Sequence, residues 1–432
     1  MLSNADNERL CRVGPGTPMG EVFRRFWNPV CLSEQLPEPD GAPLRLQVLG
    51  ERLVVFRDSR GELGLLDEAC PHRGVSLALG RVEDGGIRCL YHGWKFCTRG
   101  RVLETPNHDD PAFRERLHTT AYPVREAGGL LWAYMGPPDR QPAFPAWSFM
   151  ALPPEHVTVV RLDAEVNYLQ QLEGGLDTSH VGILHSNYAR PGWMTGEFNA
   201  NPDRDNPAAL ATGDLMPALE VRDTEFGFHY AALRQVAPRD AVAMQNVRVV
   251  PFVLPSTRII PSLDMQFLLF EIPLGDTRTT TFSVSYRLDG GPFDMRHYDA
   301  LRGRDDATLF DRASHRYLGS WDNRFGQDRE AMRDSWSGVR GVVMEDLAMA
   351  MSQGPIADRS NEHLVPADNA VVRARRLLLE SARRVAAGGD PIGAHADVAR
   401  IVACDHTVPR DARWQALVPG HAEIEPAPSA GA

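Results

Sequence analysis

A chain of 432 residues, 43% hydrophobic and 24% charged, is long enough for two or three globular domains with sizeable cores. Its formal net charge of −11 argues against a nucleic-acid partner, since phosphate-backbone binders carry a basic surplus and no basic stripe is present. No run of roughly 18 uncharged apolar residues offers a membrane span, and the opening MLSNADNERLCRVGPGTPMG has no apolar signal core, so the chain reads as cytoplasmic. Six cysteines (Cys11, Cys31, Cys70, Cys89, Cys97 and Cys404) are few and irregularly spaced. That usage suits a reducing compartment, where any cysteine that matters is a ligand.

In chain order, residues 1–27 read as a short helical or coil segment, in which GPGTPMG (14–20) is a loop. It lacks the G-x-G-x-x-G spacing and follows no strand, so no dinucleotide site is expected. From Asn28 the pattern becomes closely spaced strands with turns on Gly, in RLVVF, LGLLDEAC, RVEDGGIRC, WKFCTRGRVLE and AYPVREAGGLLWAYMG. This predicts a small antiparallel β domain over 28–147, closed by the proline-rich linker PPDRQPAFPAW at 137–147. A larger α+β domain over 148–408 is expected to mix helices at 161–185, 305–318, 340–353 and 368–387 with strands such as QNVRVVPFVL and TTTFSVSYRL. Residues 409–432, rich in Ala and Pro, read as a loose tail.

The chemistry concentrates in two stretches. In CPHRGVSLALGRVEDGGIRCLYHGWKF (70–96), Cys70 precedes His72 by two positions and Cys89 precedes His92 by three. Each loop supplies one thiolate and one imidazole, whereas a zinc finger groups its cysteines and histidines separately. The mixed set suits a [2Fe-2S] cluster with two thiolates on one iron and two imidazoles on the other. A structural zinc in a β ribbon, or unliganded surface residues, are the bland alternatives. The second stretch is NYLQQLEGGLDTSHVGILH (167–185). On one helix Asp177 and His180 would share a face, but His180 and His185 would diverge by about 140°, so a metal held by both requires the helix to end, kink or widen. Two imidazoles and a carboxylate from elsewhere would leave open positions on ferrous iron. Two histidines on a partly buried helix with no metal are the alternative.

The two stretches together resemble the oxygenase α subunits of Rieske non-haem iron ring-hydroxylating oxygenases, and the resemblance runs from about Asn28 to about Arg384. It is most similar to the phthalate dioxygenase group, through NYLQQLEGGLDTSH, RFGQDREAM (324–332), MEDLAMAMSQGPIADRSNEHL (344–364) and DNAVVRARRLLL (368–379). The resemblance implies a small β Rieske domain and a catalytic domain of helix-grip type, an antiparallel sheet with helices, on which the N-terminal segment packs. It implies one Rieske [2Fe-2S] cluster held by Cys70, His72, Cys89 and His92, and one mononuclear Fe(II) held by His180, His185 and Asp346, with Asp358 the rival carboxylate. Glu345, about 100° away from Asp346 on a helix, is expected to point elsewhere. Asp177 would bridge a neighbouring subunit's His92 to His180, and Asn167 would belong to the iron pocket. Arg248 would anchor a substrate carboxylate, or else face outward from an edge strand.

The function implied is that of a terminal oxygenase that hydroxylates an aromatic substrate with O2, an aromatic carboxylate being the first expectation. O-demethylation of an aryl ether is the alternative, and a Rieske electron carrier or a zinc-binding interaction protein are more distant ones. The implied partners are a separate NAD(P)H-dependent flavin and iron-sulfur reductase and further copies of the chain, as a homotrimer or stacked trimers.

Overall fold

The structure, a computed structural model, describes residues 2–189, 207–262, 265–293 and 295–418. Residues 190–206, within the segment 186–223 expected to shape a pocket mouth, and residues 419–432 of the tail lie outside the described residues.

Three small antiparallel sheets come first. Trp27–Leu32 pairs with Leu130–Tyr134 and that with Val124–Ala127, while Leu44–Val48, Glu51–Arg57 and Leu63–Asp67 form a meander. Arg81–Glu83, Gly86–Arg88, Lys95–Phe96 and Val102–Glu104 form the third sheet. Val54, Phe56, Leu66, Leu77, Ile87, Trp94 and Phe96 fill a separate core under the two Cys/His loops. The meander is tied to the rest of the chain by Leu49 N–H donating to the Pro273 carbonyl at 2.9 Å and Gly50 N–H to that of Leu274 at 3.0 Å.

The larger part is built on a ten-stranded sheet. Its long strands, Gly227–Arg239, Val242–Val253, Met265–Gly275 and Arg278–Arg287, are antiparallel, and Thr158–Ala164 joins the last of these. The one parallel pairing sets Thr158–Ala164 beside Arg316–Tyr317, so the sheet is mixed rather than wholly antiparallel. Helices Tyr168–Leu176, Val342–Ser352 and Asn369–Ala386 accompany it. A single apolar core spans the N-terminal helices, the Trp27 sheet and the inner face of the large sheet.

Several elements differ from the sequence expectation. The helix expected over 161–185 is a strand, Thr158–Ala164, followed by a nine-residue helix, because the β-branched run of Thr158, Val159 and Val160 pairs with Arg278–Arg287. Residues 305–318 form a short hairpin, Phe310–Asp311 with Arg316–Tyr317. Asp311 caps its turn by accepting from Ala313 N–H at 3.0 Å, and His315 takes φ 57°. The glycine-proline stretch at 14–20 starts a helix, Pro18–Arg24, since Thr17 Oγ1 accepts from Gly20 N–H at 3.2 Å and Pro18 occupies the first turn. Residues 410–418 are not loose: Trp414 is buried and donates Nε1–H to Glu220 at 2.6 Å, behind the strand Cys404–Pro409.

Asn167 is the clearest correction among the candidate site residues. It is fully buried at the N-cap of Tyr168–Leu176, where Oδ1 accepts from Leu169 N–H at 3.1 Å. Its Nδ2 donates to the carbonyls of Cys11 at 2.9 Å and Asp276 at 2.7 Å. Every polar atom of the side chain is thus spent on backbone, which removes it from an iron pocket and makes it the clamp between the N-terminal helix and the Asp177 helix. Asn167→Ala is expected to cost about 1–3 kcal/mol, the cap plus the unpaired carbonyls. Calorimetry should show a lower Tm, while metal analysis should show unchanged mononuclear iron in the folded fraction.

Candidate functional site

The two Cys/His loops are matched turns. Gly74 N–H donates to the Cys70 carbonyl at 2.8 Å and Gly93 N–H to the Cys89 carbonyl at 3.0 Å, so each loop folds back on its cysteine. Cys70 N–H is bonded to the Val75 carbonyl and Cys89 N–H to that of Trp94, which turns both thiols inward, 2% exposed. The rings of His72 and His92 lie 4.4 Å apart, and Trp94 stacks on His72 at 4.6 Å with 6° between planes. Burial and the neighbouring Cys89 push the Cys70 thiol up to about 11. Such a thiol keeps its proton unless a cation replaces it, and two inward thiols with two facing imidazoles are a donor set that fits a two-iron cluster.

The second centre is assembled where the helix Tyr168–Leu176 ends. Asp177 is its C-cap, bonding Glu173's carbonyl through its own N–H at 3.0 Å, and the chain then enters a 3-10 turn over His180–Gly182. Ending the helix there lets the imidazoles of His180 and His185 converge, with ring centres 5.1 Å apart. Val342–Ser352 brings Asp346 to them from across the domain. Its start at Gly341, φ 98°, is imposed by backbone crossing, because a Cβ there would lie 2.3 Å from Gly303 N.

His185 Nε2 is 3.1 Å and His180 Nε2 3.5 Å from Asp346 Oδ1, and one ligand atom from each residue lies within 4.8 Å of the others. Neighbouring ligand atoms on one ion with bonds of roughly 2.1 Å stand roughly 3.0–3.4 Å apart, so the triad fits a single metal. Asp358 is elsewhere: it is exposed and caps a short turn by accepting from Ser360 N–H at 2.9 Å.

Each imidazole also meets a second carboxylate. Asp177 Oδ2 is 3.3 Å from His180 Nδ1, and Asp177 Oδ1 accepts from Ser179 N–H and Oγ–H, both at 2.7 Å. Glu345 Oε2 is 2.6 Å from His185 Nδ1, which corrects the expectation that Glu345 points elsewhere. The His185 ring stands between two consecutive residues of the helix, one at each nitrogen. An adjacent Glu–Asp pair in the apolar run VVMEDLAMAM was the available signal, since two acids there need two partners. Burial alone would lower both imidazoles. The facing carboxylates outweigh it, lifting His180 to about 8 and His185 to about 10, and against its own burial the two imidazoles in turn hold Asp346 far below the usual carboxylate range. The pocket therefore attracts positive charge, as a cation site must.

Two cavities meet at this triad. One, of about 230 Å³, is lined by Val181, Tyr230, Ile260, Phe267 and Val343, with Arg248, Arg258 and Arg302 among them. The other, of about 350 Å³, is more polar, with Gln171, Glu173, Glu271, Thr281 and Glu362. Arg248 is not on an outward edge: its strand Val242–Val253 is paired on both sides, and the guanidinium lines the smaller cavity. Its Nη1 donates to Asp405 Oδ2 and to the Pro261 carbonyl, both at 2.9 Å. Arg258, which the sequence reading did not single out, lines both cavities and donates to the fully buried Glu271 at 2.6 Å. No hydrogen bond joins Asp177 to His72 or His92 among the described residues.

Residues 26–123 match the family described as Rieske [2Fe-2S] domain, and residues 133–430 match LigXa C-terminal domain like. The chain is 39% identical to the phthalate 4,5-dioxygenase oxygenase subunit of Pseudomonas putida, over 96% of this chain and 94% of that one. It is 36% identical to the 3-chlorobenzoate-3,4-dioxygenase oxygenase subunit of Comamonas testosteroni, over 90% of each. Among solved structures, NdmA of Pseudomonas putida CBB5 with caffeine superposes with a TM-score of 0.57 at 19% identity, covering 86% of this chain and 94% of that one, a likeness of fold. A cluster-binding β domain joined to a domain with a two-histidine, one-carboxylate site defines an iron-dependent oxygenase. The chain belongs to the Rieske oxygenase subunits, with a [2Fe-2S] cluster in its first domain and a mononuclear iron in its second.

The turn carrying Asp177 and His180 depends on a side chain that is absent. A Cβ on Gly175 would lie 1.6 Å from Arg258 Nε, so only glycine lets that guanidinium pass against the helix and reach Glu271. Gly175→Ala is expected to evict Arg258, leaving Glu271 a buried unpaired charge at a cost of about 3–5 kcal/mol. Denaturant unfolding should show it, and Gly174→Ala, with nothing within 4 Å of its Cβ, should be near neutral.

Proposed function

We propose that this oxygenase subunit hydroxylates an aromatic carboxylate, using electrons passed from an NAD(P)H-dependent flavin and iron-sulfur reductase through the cluster to the mononuclear iron. In this reading Cys70, His72, Cys89 and His92 hold the cluster, and His180, His185 and Asp346 hold the mononuclear iron. The observation that carries it is the convergence of two imidazoles and one carboxylate at the floor of an apolar cavity with a guanidinium, Arg248, on its wall. When bound, the mononuclear iron supplies an oxygen-binding site and one electron, and the cluster supplies another.

The chain's own groups do the rest. Val181, Phe267 and Val343 take an aromatic ring and exclude water from it. Arg248, fixed by Asp405, offers its remaining N–H groups to a carboxylate and so sets which ring carbon faces the triad. The names of the two relatives, a phthalate and a chlorobenzoate dioxygenase subunit, support an aromatic acid and dioxygenation.

Asp177 is read as the bridge between centres, with His180 on one side and His92 of a second copy on the other. A ring of copies, a homotrimer or stacked trimers, is the assembly that repeats this relation. Support comes from Leu79, Leu90 and Tyr91, large apolar side chains more than half exposed beside the Cys/His loops. A cytoplasmic location is consistent with unbridged cysteines, and among the described residues no helix is long and apolar enough to cross a membrane.

Purified protein mixed with reductase, NADH and benzoate-type acids provides the test. Wild type is expected to carry about three irons per chain and to consume O2 with hydroxylated product. Asp346→Ala should keep the brown cluster, fall to about two irons and lose turnover, whereas Arg248→Met should raise KM roughly tenfold or more for acids but not for their amides. Three irons in Asp346→Ala, or equal KM for acid and amide in wild type, would refute the assignment.

The bridge makes a separate prediction. Asp177→Asn should retain both metal centres and the assembled ring, yet slow oxidation of the reduced cluster by O2 and substrate by orders of magnitude in rapid-mixing absorption measurements. Cluster oxidation at the wild-type rate would exclude this route.

A further inference from the structure

The two imidazoles of the triad are tethered differently. His180 is oriented by Asp177, at 3.3 Å, whose side chain is a quarter exposed and also serves Ser179. His185 is oriented by Glu345, at 2.6 Å, whose side chain has no exposure. Both oxygens of Glu345 are engaged, because Ser337 Oγ–H donates to Oε1 at 2.5 Å while Oε2 faces the imidazole. Ser337 is itself fixed, by Val339 N–H donating to its oxygen at 3.0 Å. A carboxylate held at both oxygens on a helix has no freedom to turn.

We propose that Glu345 is a positioning residue that locks His185 as the more tightly held imidazole of the metal site. This rests on the ligand reading above. The Glu345 carboxylate faces Nδ1 of His185, so Nδ1 carries a proton and Nε2 is the nitrogen left for a metal, which on binding would replace any proton that Nε2 shares with Asp346. The ring plane is fixed at the same time, since rotation would leave a buried carboxylate unpaired. Asp177 is also held at both oxygens, by Ser179 and His180, but it borders both cavities, is a quarter exposed and its contact with the imidazole is longer, so it holds its histidine less tightly.

The test is Fe(II) binding to protein stripped of its mononuclear metal with the cluster intact, measured anaerobically against a chromogenic chelator. Glu345→Gln is expected to weaken Fe(II) binding by about 10–100-fold with an unchanged cluster spectrum. Ser337→Ala, removing only the hold on the other oxygen, should lose less in the same direction, and Asp177→Asn should bind like wild type. At saturating Co(II), Glu345→Gln should also show an altered visible spectrum, because the ring is no longer held in one plane. Wild-type Fe(II) affinity in both Glu345→Gln and Ser337→Ala would overturn the proposal. His185→Ala separates the two readings: if it binds Fe(II) as wild type does, the ligand set itself fails.

Discussion

Asp346 stands on a helix whose neighbouring residues are buried, with its own side chain half exposed into two cavities beside two imidazoles, and the architecture around it holds those three groups within one ion's reach. Leu347, Ala348 and Ala350 of the same helix are buried in an apolar cluster, so the helix cannot rotate and Asp346 stays facing the cavities and the two imidazoles. A histidine pair alone would repel itself once protonated, and the carboxylate offsets that repulsion. A divalent cation satisfies all three groups together.

Around the triad, buried ion pairs do the positioning. Arg359, with no exposure, donates to Glu173 at 2.8–3.0 Å, and Arg375 donates to Glu173 at 2.6 Å and to Glu362. Glu173 lies one turn before Asp177, so the helix that ends beside the triad is fastened to the N-terminal helix and to Asn369–Ala386. Buried pairs of this kind add little net stability, but breaking one leaves an uncompensated charge, and that penalty discourages alternative placements of the helix end. The same logic governs Arg258 and Glu271 under Gly175.

The two cavities divide the chemistry by polarity. The smaller, more apolar one has the lining that suits a ring, and the larger one, which shares His180 and Asp346 with it, carries more polar side chains. Arg258 and Arg302 stand in the wall between them, so the substrate side sees guanidinium groups that are each already satisfied in part, by Glu271 and by Ser283. An anionic ligand there completes existing hydrogen-bond geometry and needs little rearrangement.

The sequence by itself determined the local chemistry: the Cys-x-His and Cys-x-x-His loops, the Asp177–His180–His185 spacing, the antiparallel pattern of the first domain and the helices at Val342–Ser352 and Asn369–Ala386 were legible because short-range spacing, turn residues and apolar periodicity encode them. It did not determine what depends on partners far along the chain. Thr158–Ala164 became a strand because Arg278–Arg287 was available to pair with it, and 305–318 folded as a hairpin because Asp311 and His315 favour a turn. Asn167 became a clamp through carbonyls 156 and 109 positions away. Glu345 became a partner of His185, and Arg248 a partner of Asp405, only once strands and helices had been brought together. Which polar atom meets which is decided by burial, since a buried donor or acceptor must find a partner and the candidates within reach exist only in the folded chain.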